Sequence, residues 1–246
     1  MDPMEAFYQQ KRANIRALGA DEDIRDLTRA WFSGVSKHRY SYHFSWLGIP
    51  VIQFPQDLIA MQEIIWSVKP DVIIETGVAH GGSLVFHASM LGLMGGDGIV
   101  VGVDVDIREH NRRAIESHPL AGKIRLVEGS SVDRITVGKV EALLDGRQNP
   151  LVILDSNHSC QHVLAELDLY QHFVRSGSYL LVLDTIIDDM PEKFSDGRPW
   201  GPGRGPKTAV HQFLQTTGRF VIDQEYNDKL LISVAPDGFL RCVADP

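Results

Sequence analysis

The sequence predicts an α/β fold with a mostly parallel sheet, and three observations carry that expectation. Short apolar runs without polar alternation recur along the chain (Val72–Ile74, Ile99–Val103, Ile124–Val127, Leu151–Leu154, Tyr179–Leu183), as strands covered on both faces require. Four of them end at an acidic or small polar tip and are followed by a segment of helical periodicity, the order of a repeated βαβ unit. With 246 residues, 43% of them hydrophobic, the chain can bury one substantial core, and a single domain with decorations is expected. Residues 1–56 read as a helical and aromatic-loop extension, a cap or an oligomerisation element, and residues 57–246 as the domain proper.

In the extension, Phe7, Ile15, Leu18, Ile24 and Leu27 recur at spacings near three and four, which predicts one or two amphipathic helices. From Phe32 to Pro55 aromatic residues crowd together with His38, His43 and Gly48, a composition that predicts an irregular segment capping a pocket or packing on the sheet. Leu58, Met61, Ile64, Ile65 and Val68 make Asp57–Val68 helical, stopped by Lys69-Pro70. The first strand comes next, broken at Glu75-Thr76-Gly77 by a turn that leads into a helix over Ser83–Leu93. Gly95 to Gly98 turns the chain into the second strand, which ends at Asp104 with Asp106 beside it. Then come a helix containing Asn111–Ser117, the third strand with its tip Glu128-Gly129-Ser130-Ser131, and a helix at Val140–Leu144. The most apolar strand ends at Asp155-Ser156-Asn157-His158, and a helix through Val163, Leu167 and Phe173 separates it from the strand that ends at Asp184. Residues 187–207, rich in glycine and proline, predict a long loop of the kind used as a lid or an acceptor-binding segment. Thr208–Leu214 returns to helix, and Phe220–Ile222, then Lys229–Val234, Pro236-Asp237-Gly238 and Phe239–Val243 read as strand, turn and strand.

Charge and cysteine content exclude several classes. A net charge of −8 without a basic cluster argues against a nucleic-acid partner, which needs cations to replace released counterions. Two cysteines, Cys160 and Cys242, without Cys-x-x-Cys spacing indicate neither a disulfide framework nor a thiolate zinc site. No run of 18 apolar residues occurs, and the opening residues lack the basic and apolar regions of a signal peptide. A soluble cytoplasmic protein with no membrane partner is expected, and the amphipathic extension offers a face for a homo-oligomer.

The chemistry centres on Glu75-Thr-Gly-Val-Ala-His-Gly-Gly-Ser83. Gly77 permits a sharp turn beside a ligand, and Gly81 with Gly82 keeps the helix start open for close approach. Glu75 stands where a dinucleotide fingerprint places its first glycine under a pyrophosphate, and a carboxylate there repels phosphate and attracts a cation. A phosphate-free ligand with a cationic amino-acid end, S-adenosylmethionine, satisfies both conditions. Asp104, at the next strand tip, is placed to accept from the ribose hydroxyls, and Ser130 and Ser131 would lie near the adenine. His80 could touch the cofactor's carboxylate or the acceptor, and Ser83 opens the helix beside it. Glu75, Asp104, Glu128, Asp155 and Asp184 would share one rim, and such a concentration of acids calls for a divalent cation near Asp155 and Asp184, magnesium by the hardness of the donors. Strand-end aspartates also cap the helices after them, which is the competing role. A small-molecule acceptor would meet the aromatics and arginines Trp46, Trp200, Arg198 and Arg204.

Several stretches together resemble one family, the cephalosporin-hydroxylase and rhamnosyl O-methyltransferase group: Trp46-Leu-Gly-Ile49, Glu75–Ser83, Ile153-Leu-Asp-Ser-Asn-His-Ser159 with Val163-Leu-Ala-Glu166, Gly201-Pro-Gly203 and Ala235-Pro-Asp-Gly-Phe-Leu240. The resemblance implies a Rossmann-like class I methyltransferase fold, a mostly parallel seven-stranded sheet with a C-terminal antiparallel hairpin. It implies a magnesium-assisted O-methyltransferase acting on a hydroxyl of a sugar or natural-product scaffold. On this pattern Glu75, Gly77 and Asp104 hold the cofactor, with Asp155 bordering it, Asp155 and Asp184 bind the metal, and His158 is the catalytic base, working beside Asp155. One position departs: relatives carry Glu-Asp where this chain has Leu183-Asp184, so a third carboxylate would have to come from Asp188, Asp189 or the substrate. The competing readings are an oxygenase acting on a natural product, disfavoured because only His158 accompanies Asp155, and a cofactor-binding protein without catalysis, which Leu183 favours.

Overall fold

Two side-chain caps start the chain. Asp2 accepts from the Met4 N–H and Asp21 from the Ile24 N–H, each at 3.1 Å, opening helices α1 (Pro3–Gly19) and α2 (Glu22–Ser36). The computed structural model describes residues 2–246. The second helix runs through Phe32, where the composition predicts irregular chain, because that ring buries against Phe54 at 5.1 Å between centroids. Residues 40–51 are also more ordered than expected. A helical turn at Tyr40–His43 leads into an antiparallel hairpin of β1 (Phe44–Trp46) and β2 (Ile49–Val51), joined by Leu47 and Gly48. Both turn residues have positive φ, the combination whose twist matches a two-residue hairpin.

Helix α3 (Pro55–Val68) delivers the chain to five parallel strands: β3 (Val72–Thr76), β4 (Ile99–Asp104), β5 (Ile124–Glu128), β6 (Pro150–Leu154) and β7 (Tyr179–Val182). Alternate residues of these strands face opposite ways, so each strand feeds two cores. Ile73, Leu151, Ile153 and Leu181 pack with α3, α4 (Gly82–Met94) and Ile115 of α5 (Glu109–Glu116). Val72, Ile74, Val152, Leu154 and Leu180 pack with α6 (Arg134–Leu144), α7 (Cys160–Tyr170) and α8 (Pro206–Leu214).

The sheet closes with β8 (Phe220–Ile222) and β9 (Phe239–Cys242), giving seven strands in the order β5-β4-β3-β6-β7-β9-β8 with β9 antiparallel to both neighbours. The strand expected at Lys229–Val234 is not one. Asp223 caps helix α9 (Gln224–Leu230), and the apolar residues after it form an irregular segment. Asp57 of α3 accepts from Ser233 Oγ at 2.6 Å and from the Val234 N–H at 3.0 Å, so this segment satisfies its polar groups without a ladder. The chain steps outward from β3 to β5, then returns to β6 on the other side of β3. The reversal between β3 and β6 leaves a crevice at the carboxyl ends of the strands, the usual ligand position in open α/β sheets.

Candidate active site

That crevice is a cleft of about 720 Å³, in the range of small-molecule sites. Glu75 stands near the end of β3 and is 1% exposed. Ser83 Oγ donates to its Oε1 at 2.5 Å, and His87 Nε2 lies 2.8 Å from Oε2 without the alignment of a hydrogen bond. Ser83 and His87 are four residues apart on α4, so one helix face holds the carboxylate. Gly77 has φ +94°, and a Cβ there would sit 2.0 Å from the Asp155 carbonyl oxygen. At Gly82 it would sit 2.2 Å from the Pro50 carbonyl, and at Gly81 it would strike the Ile115 side chain. The close approach these glycines allow is therefore to the protein's own chain, β6 and the β1–β2 hairpin, and that approach forms the cleft floor.

Asp104, at the tip of β4, accepts from the Val78 and Ala79 N–H groups at 2.8 and 3.4 Å and from the Asp106 N–H at 3.1 Å. The turn after β3 and the tip of β4 are thus locked together, with lone pairs to spare on a half-buried carboxylate. Asp106 is exposed and does not line the cleft. His80 does line it, its Nδ1 3.3 Å from Asn111 Oδ1. Glu128 leaves the rim, contrary to expectation: Arg112 takes its Oε2 at 2.6 Å on the outside of β5. Ser130 and Ser131 line the cleft as expected, and with them comes a group that sequence reasoning missed. Ser131 Oγ and Ser156 Oγ each lie 3.1 Å from His162 Nε2, and Ser156 donates to the fully buried Glu166 at 2.7 Å. His162 and Glu166 sit one turn apart on α7, and that spacing was the available signal.

At the tips of β6 and β7 the structure brings Asp155, His158 and Asp184 together, each offering a donor atom within 4.8 Å of the other two. Asp184 is in the left-handed region, φ +54°, and His158 Nε2 lies 3.2 Å from its Oδ2. Burial, and then the nearby Asp184 and Glu75 carboxylates, push the Asp155 carboxyl well above its usual range. A bound cation would relieve that repulsion, so the residues fit a divalent metal ion. Neither expected helper is available: Asp188 accepts from the Gly203, Gly205 and Lys207 N–H groups and from Thr208 Oγ1, and Asp189 pairs with Lys207. Leu183 is buried, 4% exposed. Gln53, on the loop after β2, was also missed; its Nε2 lies 3.4 Å from Asp155 Oδ2.

The long loop runs through short helical turns at Thr185–Asp189 and Glu192–Phe194 before α8. Trp200 lines the cleft and meets the His158 ring edge-on at 5.3 Å. Trp46, expected at the acceptor, instead packs on Phe86 and donates to Ser89, and Arg204 is taken by Glu192. Among the described residues no lysine or arginine lines the cleft, whereas Glu75, Asp104, Asp155 and Asp184 all do. Among the described residues no helix is long and apolar enough to cross a membrane.

The family model described as Rhamnosyl O-methyltransferase/CmcI matches residues 38–243. A rhamnosyl O-methyltransferase of Mycobacterium tuberculosis (strain H37Rv) is 30% identical over 80% of this chain and 77% of its own length. That of Mycobacterium leprae is 28% identical over 80% and 82%. In fold, the chain is similar to a CmcI structure described with Mg and SAM, with a TM-score of 0.56 and 19% identity over 82% of this chain and 78% of that one. It is also similar to an O-methyltransferase from Bacillus cereus in complex with SAH, with a TM-score of 0.53 and 15% identity over 79% and 81%. The chain belongs to the Rhamnosyl O-methyltransferase/CmcI family, and it is a methyltransferase.

Proposed function

We propose that the protein transfers a methyl group from S-adenosylmethionine to a hydroxyl of a small molecule, a sugar or a natural-product scaffold, with a magnesium ion at Asp155 and Asp184. The observation that carries this reading is a cleft with four carboxylates and, among the described residues, no lysine or arginine, which suits a cationic, phosphate-free donor. The names of the curated relatives support the sugar hydroxyl as acceptor. When bound, the donor supplies an electrophilic methyl on a sulfonium, and the metal supplies Lewis acidity toward the acceptor oxygen.

The chain's own residues do the rest. Glu75, held by Ser83 and His87, presents negative charge to the donor's ammonium end, and Gly77, Gly81 and Gly82 shape the turn beneath it by letting Asp155, Ile115 and Pro50 pack close. Asp104 accepts from the ribose with the lone pairs its backbone partners leave, Ser130 and Ser131 border the adenine, and His80 flanks the amino-acid end. His158 takes the acceptor's proton, and Asp184, 3.2 Å from its Nε2, stabilises the imidazolium that forms. Residues 1–56 act as a cap on the domain at 57–246: Ser41, Tyr42, Pro50, Ile52 and Gln53 close one side of the cleft. Exposed Phe7, Tyr8 and Leu27 on this extension offer a homo-oligomer face. The unpaired Cys160 and Cys242 suit a reducing cytoplasm.

Anaerobic incubation with S-adenosylmethionine, magnesium and a panel of glycosides tests the reading. A methylated product without oxygen is expected. An oxygen-dependent hydroxylated product would contradict it and favour the oxygenase.

A further inference from the structure

The charged side chains that line the cleft are acidic, but two of its aromatic residues carry cations. Tyr42, on the helical turn of the extension, and Trp200, on the long loop, both line the cleft, and each carries an arginine on its ring. The Arg39 guanidinium carbon lies 5.7 Å from the Tyr42 ring centroid, and that of Arg198 lies 5.2 Å from the Trp200 centroid. Both arginines are exposed, neither lines the cleft, and neither forms an ion pair among the described residues, although Asp196 is two positions from Arg198. By contrast Arg204, on the same loop, is spent on Glu192. An aromatic ring carrying a guanidinium is a mixed surface: the ring takes the C–H face of a saturated ring, and the planar cation is free to meet a phosphate or carboxylate in bidentate fashion.

Position gives the pair its meaning. Trp200 touches His158, so an acceptor whose hydroxyl reaches His158 also reaches Trp200. Inside, the charged lining is Glu75, Asp104, Asp155 and Asp184; outside, the Arg39 and Arg198 guanidiniums stand on two of the lining rings. A molecule with a neutral hydroxylated end and an anionic end is oriented by that gradient, hydroxyls inward.

We propose that the acceptor is a sugar-like molecule carrying an anionic group, phosphate or carboxylate, seated between Tyr42 and Trp200 with the anion met by Arg39 and Arg198 at the cleft mouth. This rests on the methyltransferase reading, since it concerns the acceptor half of the same cleft.

Calorimetry on the full chain saturated with S-adenosylhomocysteine tests it, using three probes: a nucleoside diphosphate hexose, a hexuronic acid glycoside, and the neutral methyl hexoside. At least one anionic probe is expected to bind at least about tenfold more tightly than the neutral one, and to weaken as salt rises. The Arg39→Gln/Arg198→Gln double variant should abolish that preference while S-adenosylhomocysteine affinity stays unchanged; both positions are exposed, so folding is not at stake. Tyr42→Ala should weaken anionic and neutral probes alike. A phosphate-only or carboxylate-only response identifies the anion. Equal binding of charged and neutral probes, no binding by either anionic probe, or a preference that survives the double variant would overturn the proposal. Failure of the underlying reading looks different: S-adenosylhomocysteine itself would not bind.

Discussion

At Gly77 the backbone has φ +94° and the Asp155 carbonyl oxygen occupies the place of a side chain, so two costs fall on one position. Gly77→Ala should lower stability by at least about 3 kcal/mol and abolish cofactor binding, read by denaturant unfolding and calorimetry. A well-folded variant of unchanged affinity would mean that the β3–β6 contact is not what holds the turn. His158 is different, because it bears on chemistry rather than on packing. His158→Ala should keep the fold and the cofactor affinity while methyl transfer falls about 10²–10⁴-fold. Wild-type turnover in that variant would remove His158 from the proton transfer. Glu75, Asp104, Asp155 and Asp184 were each legible in the sequence, because strand tips announce themselves as the end of an apolar run, and His158 was picked out by the resemblance. His87 and Gln53 were not, since each meets the site from a helix or loop whose orientation tertiary packing decides; His162 and Glu166 left only their one-turn spacing as a sign, which does not say which way the helix faces.

On the scale of elements, two carboxylates away from the chemistry tie segments together. Asp188 collects the N-terminus of α8, through the Gly203, Gly205 and Lys207 N–H groups and the Thr208 hydroxyl. Asp188→Ala should cost about 1–2 kcal/mol and speed proteolysis within residues 190–205, with magnesium affinity unaffected. Asp57 anchors the segment after α9, and burial, against the opposing pull of Ser233 and the Val234 N–H, pushes its carboxyl up to about 7. The folded state then holds a proton that the unfolded chain releases near pH 4. Stability from this group is fully present below about pH 4 and is lost as pH rises toward 7, a change of roughly 4 kcal/mol. Asp57→Asn should flatten that slope in unfolding midpoints measured between pH 5 and 7.5; an unchanged slope would assign it to another group. Helices and parallel strands were readable because their periodicities persist over whole turns. The β1–β2 hairpin was not, since its strands are three residues long and its turn, Leu47-Gly48, lacks the usual asparagine or aspartate. Nor was α9, whose apolar sequel imitates a strand.

Across the whole molecule, the order of βαβ units made the sheet and its functional rim foreseeable, and the resemblance supplied the antiparallel closure. The reversal between β3 and β6 then collects residues from positions 41 to 234 around one cleft. Local sequence cannot say which strand tips reach it: Asp155 does, and Glu128 on the outer β5 does not. Chelation of divalent ions should depress methyl transfer by at least about tenfold, because the ion at Asp155 and Asp184 is what would acidify the acceptor hydroxyl; unchanged turnover in chelator would remove the metal from the reaction. The central claim concerns the sign of charge in that cleft. Calorimetric titration of the purified chain with S-adenosylmethionine, S-adenosylhomocysteine, NAD and ATP tests it most directly. Both sulfur ligands are predicted to bind, and neither NAD nor ATP to displace them from the cleft; uptake of a pyrophosphate-bearing nucleotide with no response to either sulfur ligand would contradict it.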